Sequence, residues 1–96
     1  MWRIDIDSFT FRPADHEGIC VVHRRAFETL VGAPVTAVAC EEYFSSNLDA
    51  FQAASAAKIA RLELTPGAAF HLTSRDIRRY LASSVPEERS TRRNPI

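Results

Sequence analysis

The sequence predicts a single α+β domain: a small antiparallel sheet of about three strands, packed against one long helix and two short ones. Three observations predict this class. Apolar and polar residues alternate near the N-terminus, which is typical of a strand with one face in water. Residues 41–64 carry apolar side chains at every third or fourth position, the period of an amphipathic helix. The length of 96 residues suffices for one hydrophobic core and one domain.

The N-terminal alternation changes phase once, which predicts a break in the first strand. The apolar positions before and after the change are Trp2, Ile4 and Ile6, then Phe9 and Phe11. A bulge or a turn near Ser8 would separate these two extended pieces. The polar turn at residues 13–18 and the β-branched run at 19–23 then predict a hairpin with the second piece.

Two helices follow the hairpin. Residues 24–31 have helical spacing, and Gly32 is placed to end that helix as a C-cap. The long helix spans residues 41–64, with Glu41 and Glu42 in its first turn, where the helix dipole favours carboxylates. Its apolar stripe consists of Phe44, Leu48, Phe51, Ile59 and Leu62, with the small Ser55 between Phe51 and Ile59.

The C-terminal part predicts a third strand, a short helix and a tail. Pro66 and Gly67 end the long helix, and residues 68–72 alternate as a strand does. Thr73 and Asp76 have the spacing of a capping box that opens the last helix. We expect residues 1–83 to form the domain and residues 84–96 to be a disordered polar tail.

Charge is balanced overall but uneven along the chain. Twelve basic and twelve acidic residues give a formal charge of zero, whereas residues 75–96 carry six arginines against three acids. Arg75, Arg78 and Arg79 fall at helical spacing, with Arg75 and Arg79 on one face. These arginines are either a solvated surface or the contact site for an acidic protein or another polyanion.

No motif in the sequence carries catalytic chemistry, so we predict neither an enzyme nor a metal or other cofactor. The spacing of His16, His23 and His71 fits no zinc signature, although His23 and His71 could meet if their strands pair. We expect His16 in an exposed turn, His23 at a helix cap or strand end and His71 on a sheet face. Cys20 could be a nucleophile, but a cysteine between β-branched neighbours is typical of a buried core residue. For Cys40, too, we favour a structural role.

Several of these spacings together resemble a bacterial family of short proteins, the domain of unknown function 1488. The matching positions are residues 18–27 with Gly32, then residues 44–47 with Phe51, Ala54, Lys58 and Ile59, and finally Gly67, Leu72 and Asp76. Two positions depart from the pattern, because His23 replaces a capping serine or threonine and Leu48 replaces an arginine that often follows Asn47. The resemblance implies a small α+β fold and carries over no activity or site residue.

Partner contact is the function that the sequence favours. The long helix carries a second stripe of mostly small side chains, formed by Ala53, Ala57, Ala60 and Leu64. These residues are either helix-favouring surface positions or a face for close approach of a second copy in a homodimer. The alternative partner is a polyanion, bound weakly through the arginine-rich C-terminal segment, although nucleic acid is disfavoured because no aromatic residues interleave the arginines.

The sequence also predicts where the protein works. The first residues lack the uninterrupted apolar run of an export signal, and no stretch approaches the roughly 18 apolar residues of a membrane span. With two cysteines that are expected to be free thiols, a cytoplasmic location without membrane contact is the prediction.

Overall fold

The computed structural model describes residues 1–84, which form an α+β fold of four α-helices and a four-stranded sheet. The strands are β1 (Trp2–Arg3), β2 (Ser8–Phe11), β3 (Cys20–His23) and β4 (Phe70–His71). The helices are α1 (Arg24–Val31), α2 (Ala37–Ser46), α3 (Leu48–Leu62) and α4 (Ser74–Ser84). The predicted class is confirmed, but the numbers of strands and helices are larger than expected. Residues 85–96 of the predicted tail lie outside the described residues.

The sheet is mixed, so the prediction of an antiparallel sheet is wrong for one strand pair. Its strands lie in the order β1-β2-β3-β4, and the pairs β1–β2 and β2–β3 are antiparallel. Strand β4 pairs with β3 in parallel, with Cys20 opposite Phe70. The three helices between β3 and β4 carry the chain back to the end of the sheet where β3 begins. A crossover of this kind produces parallel strands.

The fourth strand arises because the chain reverses at residues 4–7, just before the predicted break near Ser8; the expectation that Ile4 and Ile6 continue the first strand is wrong. A single 3-10 turn, Ile4–Ile6, and Asp7 in a left-handed conformation (φ 52°) reverse the chain, so that β1 pairs with β2 as a separate strand. Arg24 holds this turn in place: its guanidinium donates to an Asp7 carboxylate oxygen at 2.6 Å and lies over the Trp2 ring. The same guanidinium donates to the carbonyl oxygen of Val35, which joins the turn to the segment before α2.

The predicted long helix is wrong in one respect, because two helices meet at Asn47. The side chain of Asn47 donates to the carbonyl oxygen of Tyr43 at 2.9 Å. The backbone carbonyl oxygen of Asn47 accepts from the N–H groups of Ala50 and Phe51 in the first turn of α3. A side chain that bonds to the backbone in this way offers the chain an alternative to a continuous helix. Helix α2 also begins earlier than expected, capped by the Thr36 hydroxyl, so Glu41 and Glu42 lie in its middle and not in its first turn.

The break rotates the buried face of α3 away from the predicted stripe. Its buried residues are Ala50, Phe51, Ala54 and Ser55. Leu48 and Leu62, which we expected in the core, are 44% and 48% exposed. Within residues 1–84, no helix combines the length and the apolar composition needed to cross a membrane.

The two predicted helix caps are confirmed. Gly32 adopts a left-handed conformation (φ 85°) and its N–H donates to the carbonyl oxygen of Glu28, which ends α1. At the start of α4, the Asp76 N–H donates to the Thr73 hydroxyl while the Asp76 carboxylate accepts from the Thr73 N–H. This reciprocal pair is the capping box that the spacing indicates.

The turn at residues 13–18 packs against the turn that precedes β4. The N–H groups of Glu17 and Gly18 both donate to the carbonyl oxygen of Pro66, at 2.8 and 3.1 Å. His16 Nε2 lies 2.8 Å from the carbonyl oxygen of Ala68, and the ring meets Phe70 edge-on. His16 is therefore only 5% exposed, and the expectation that it lies in an exposed turn is wrong.

We predict that Gly18→Ala destabilises the protein, because a Cβ at this position would lie 2.1 Å from the carbonyl oxygen of Ala68. Relieving this clash should cost roughly 1–3 kcal/mol of unfolding free energy, measured by chemical denaturation. Gly67→Ala is the matched control, since a Cβ there meets nothing within 4 Å. The control should leave stability unchanged or raise it slightly. Equal effects of the two substitutions would contradict the close contact between the turns.

Candidate functional site

A hollow between α3 and α4 is the candidate functional site. Its volume is about 370 Å³. The residues that line it are Ala54, Ala57, Lys58 and Arg61 from α3, and Arg75, Asp76, Arg79 and Tyr80 from α4. Four cationic side chains and one carboxylate give this lining a formal balance of plus three. The hollow is therefore a basic surface, which we call the basic hollow.

An ion pair between two lining residues joins the helices of the basic hollow. Lys58 Nζ donates to Asp76 Oδ2 at 2.9 Å, and the two side chains are 17% and 20% exposed. Burial by itself raises the pKa of Asp76, but hydrogen bonds from Thr73 and Lys58 outweigh it and hold the pKa below its usual value. Asp76 is therefore a carboxylate at neutral pH, committed to the helix cap and to Lys58. Arg61 lies farther off, 4.0 Å from the other carboxylate oxygen.

The structure separates the three arginines of the predicted cluster. Arg75 and Arg79, one helical turn apart, both line the basic hollow. Arg78 is exposed and donates to the carbonyl oxygen of Thr29 at the end of α1, away from the hollow. The C-terminal arginines Arg89, Arg92 and Arg93 lie outside the described residues.

The predicted small-residue stripe of the long helix is divided between different environments. Ala57 is half-buried and lines the basic hollow, while Leu64 packs against the hydrophobic core. Ala53 is half-buried and Ala60 is exposed.

Lys58 and Arg61 are the site residues that sequence reasoning missed. They lie one helical turn apart on α3, which is a detectable signal, but nothing in the sequence places them opposite α4. The partner helix is known only once the core is assembled. Asp76 was recognised for the capping box, whereas its ion pair with Lys58 across the two helices was not.

His23 and His71 meet on the open face of the sheet. Their rings stack with centroids 5.0 Å apart and an angle of 25°. The hydroxyl oxygen of the buried Ser8 lies 2.9 Å from the Ile6 carbonyl oxygen and 2.6 Å from His23 Nδ1, and the tautomer of His23 decides which group donates in the second contact. Stacked rings do not direct their in-plane lone pairs at a shared point, as metal ligation requires. The contact therefore joins three strands.

Both cysteines are free and buried in the core. Burial raises the pKa of the Cys20 thiol to about 12, although a hydrogen bond with Ser55 acts in the opposite direction. Burial also raises the pKa of Cys40, while Arg24 acts to lower it. A thiol with a raised pKa holds little thiolate at neutral pH, and only the thiolate is a good nucleophile.

Comparisons with known proteins add no relative to this description. No family model, curated protein or solved structure matches the chain. The resemblance to the domain of unknown function 1488 therefore stays a prediction. Within residues 1–84, no three His, Cys, Asp or Glu side chains are grouped so that they could hold a metal ion.

We predict that Cys20 reacts slowly with iodoacetamide in the folded protein. A pKa near 12, compared with about 8.5 for a free thiol, should slow labelling at about pH 8 by a factor on the order of 1,000. Peptide mapping by mass spectrometry distinguishes Cys20 from Cys40 in one sample. The same chain in guanidinium chloride is the control and should label fast at both positions. Rapid labelling of the folded chain at Cys20 would reopen a nucleophilic role.

The stability contributed by Asp76 should depend on pH. Because its folded pKa lies below the usual aspartate value of 3.8, the charged group stabilises the fold above that pH. The contribution is lost as the pH falls through the folded pKa. Asp76→Asn should cost about 1 kcal/mol near neutral pH, and the difference from wild type should shrink below about pH 4. Thermal unfolding across this pH range measures it.

Glu42→Gln is the matched control for Asp76→Asn, because Glu42 is exposed on α2 and forms no salt bridge among the described residues. It should track wild type at each pH. A difference between Asp76→Asn and wild type that stays constant from neutral to acid pH would show that the carboxylate charge does not stabilise the fold.

Proposed function

We propose that this protein is a non-enzymatic binding module in the cytoplasm, whose contact surface is the basic hollow and whose partner is an acidic segment of another protein. The observation that supports the proposal is the meeting of Lys58 and Arg61 on α3 with Arg75 and Arg79 on α4 around a single carboxylate. Four cations gathered from two helices attract anionic groups more strongly than the same charges spread over a surface.

The chemistry of the hollow favours acidic side chains as its occupants. Guanidinium groups such as Arg61 and Arg75 bind carboxylates through paired N–H donors. The half-buried Ala57 also lines the hollow and offers apolar contact to the stems of bound side chains. An isolated exposed ion pair contributes only about 0–1 kcal/mol, and binding therefore requires several of these cations together.

The buried chemistry of the chain gives no comparable support to catalysis. The Cys20 thiol is buried in the core and its pKa is raised to about 12. The Ser8 hydroxyl has His23 Nδ1 within 2.6 Å, but Ser8 is fully buried and out of reach of a substrate. Both groups therefore lack the exposure that a nucleophile needs.

Self-association is a second candidate, because the chain carries an acidic surface that could occupy the hollow of another copy. A shallow groove of about 280 Å³ on α2 is lined by Val38, Glu41, Glu42, Ser45 and Ser46. Val38 is 62% exposed at this groove, which adds an apolar contact to the charge complementarity. Contact between the α2 groove of one copy and the basic hollow of another would be a head-to-tail arrangement. A homodimer through the small-residue stripe would instead have two-fold symmetry.

We predict that a fluorescent hexaglutamate peptide binds the protein at low salt through the basic hollow. Arg75→Glu and Arg61→Glu should each weaken binding at least roughly tenfold, because each reverses a charge that lines the hollow. Arg12→Glu is the matched control, since Arg12 is exposed and lies outside the hollow. Fluorescence anisotropy measures all four chains, and binding should fall steeply as salt is added.

Other outcomes of the same titration separate the alternatives. If a single-stranded oligonucleotide binds and hexaglutamate does not, the result would favour the hypothesis that the arginine-rich segment binds nucleic acid. Light scattering on the unliganded protein tests whether the chain self-associates. If Glu41→Arg turns an oligomer into a monomer, the α2 groove is the surface that binds the basic hollow of another copy. Equal weakening by Arg12→Glu and Arg75→Glu would overturn the hollow as the contact surface.

A further inference from the structure

We propose that the basic hollow is a discrete site for a phosphate monoester dianion, with Lys58 as its central donor. This inference rests on the proposed function and names the chemistry of the anionic group that the hollow takes. Three features of the described residues support the site: the spare donors of Lys58, the arginines of both helices, and the positive charge that the lining carries beyond the Lys58–Asp76 pair.

Lys58 is held in place with donors to spare. An ammonium group has three N–H donors, and one of them is engaged by Asp76 Oδ2 at 2.9 Å. The other two have no hydrogen-bond partner among the described residues. The Lys58 side chain is only 17% exposed and it lines the hollow. A bound oxyanion would therefore meet an ammonium that is already positioned and partly shielded from water.

Arginines from both helices line the hollow together with this ammonium. Arg61 extends from α3, one turn beyond Lys58, whereas Arg75 and Arg79 extend from α4. Their guanidinium groups present forked donors, the geometry that suits the several oxygens of a phosphoryl group. Donors from two helices can thus reach different oxygens of one ligand.

The charge in the hollow favours a dianion over a monoanion. Asp76 opposes any anion, but its charge is offset by Lys58, and Arg61 and Arg75 add two further positive charges to the lining. A phosphate monoester carries about −1.5 to −2 near neutral pH. The volume of about 370 Å³ exceeds that of one carboxylate and accommodates a phosphoryl group together with part of the molecule that carries it.

The test compares phenyl phosphate with phenyl sulfate, which has the same shape and one negative charge fewer. Binding to the full chain is followed by amide chemical shifts in titrations at low salt. Phenyl phosphate should bind at least roughly tenfold more tightly than phenyl sulfate, with shifts concentrated on α3 and α4. Arg61→Gln should weaken the phosphate by a similar factor, whereas Arg12→Gln should not. Equal affinity for the two ligands would overturn the proposal.

The paired substitution Lys58→Met with Asp76→Asn isolates the role of Lys58. It removes one positive and one negative charge, so the formal balance of the hollow stays at plus three and no unpaired half-buried charge is left. Phenyl phosphate binding should fall at least roughly tenfold while hexaglutamate binding changes little, because hexaglutamate depends on the overall charge. A phosphate affinity that survives this change would show that Lys58 is not the central donor.

Two further results complete the design. If hexaglutamate binds through Arg75 but phenyl phosphate does not, the phosphate site is refuted and the acidic-protein contact stands. The affinity of a phosphoserine peptide, compared with that of phenyl phosphate, identifies the kind of molecule that carries the phosphoryl group. Binding tighter than phenyl phosphate by tenfold or more would indicate a phosphorylated side chain of a protein, and equal binding would indicate a small phosphorylated molecule. Both of these outcomes support the site itself.

Discussion

The structure depends on the burial of Phe51 among the rings of three other elements. Its ring centroid lies 5.9 Å from that of Phe27 on α1, 5.0 Å from Phe44 on α2 and 6.3 Å from Phe11 on β2. Phe51 itself is fully buried. One side chain of α3 thereby fixes that helix against the sheet and two other helices at once. Aromatic contacts of this kind contribute more than their buried area alone.

The break at Asn47 makes this arrangement possible. A continuous helix through residues 41–64 would hold the apolar side chains of both halves on one straight stripe. Because the chain bends, Phe44 and Phe51 approach each other from different helices, and the buried face of α3 includes Ala50 and Ala54. The small alanines let neighbouring elements approach closely. Helix α4 packs along the remainder of α3, and Lys58 comes within 2.9 Å of Asp76.

Asp76 connects the stability of the fold with the charge of the hollow. Its carboxylate accepts from the N–H of Thr73, which caps α4, and from the ammonium of Lys58. The same group thus begins one helix and ties it to another. Among the described residues, Asp76 is the one carboxylate in the lining of the hollow, and three arginines line it beside the Lys58–Asp76 pair. A charged surface is stable here because its most buried cation is paired and its other cations reach water.

Local sequence patterns predicted the α+β class, a break near Ser8, the Gly32 cap and the capping box of Thr73 and Asp76. Each depends on residues within a few positions of one another, so local propensity and period suffice. Tertiary structure alone decided the parallel pairing of β4, the burial of His16 and the meeting of Lys58 with Asp76. The helical period of residues 41–64 did not predict the bend at Asn47, because the bend depends on a hydrogen bond from the Asn47 side chain to the backbone and not on apolar spacing. Contacts between distant segments follow from how the core packs, which a single sequence does not encode in any local pattern.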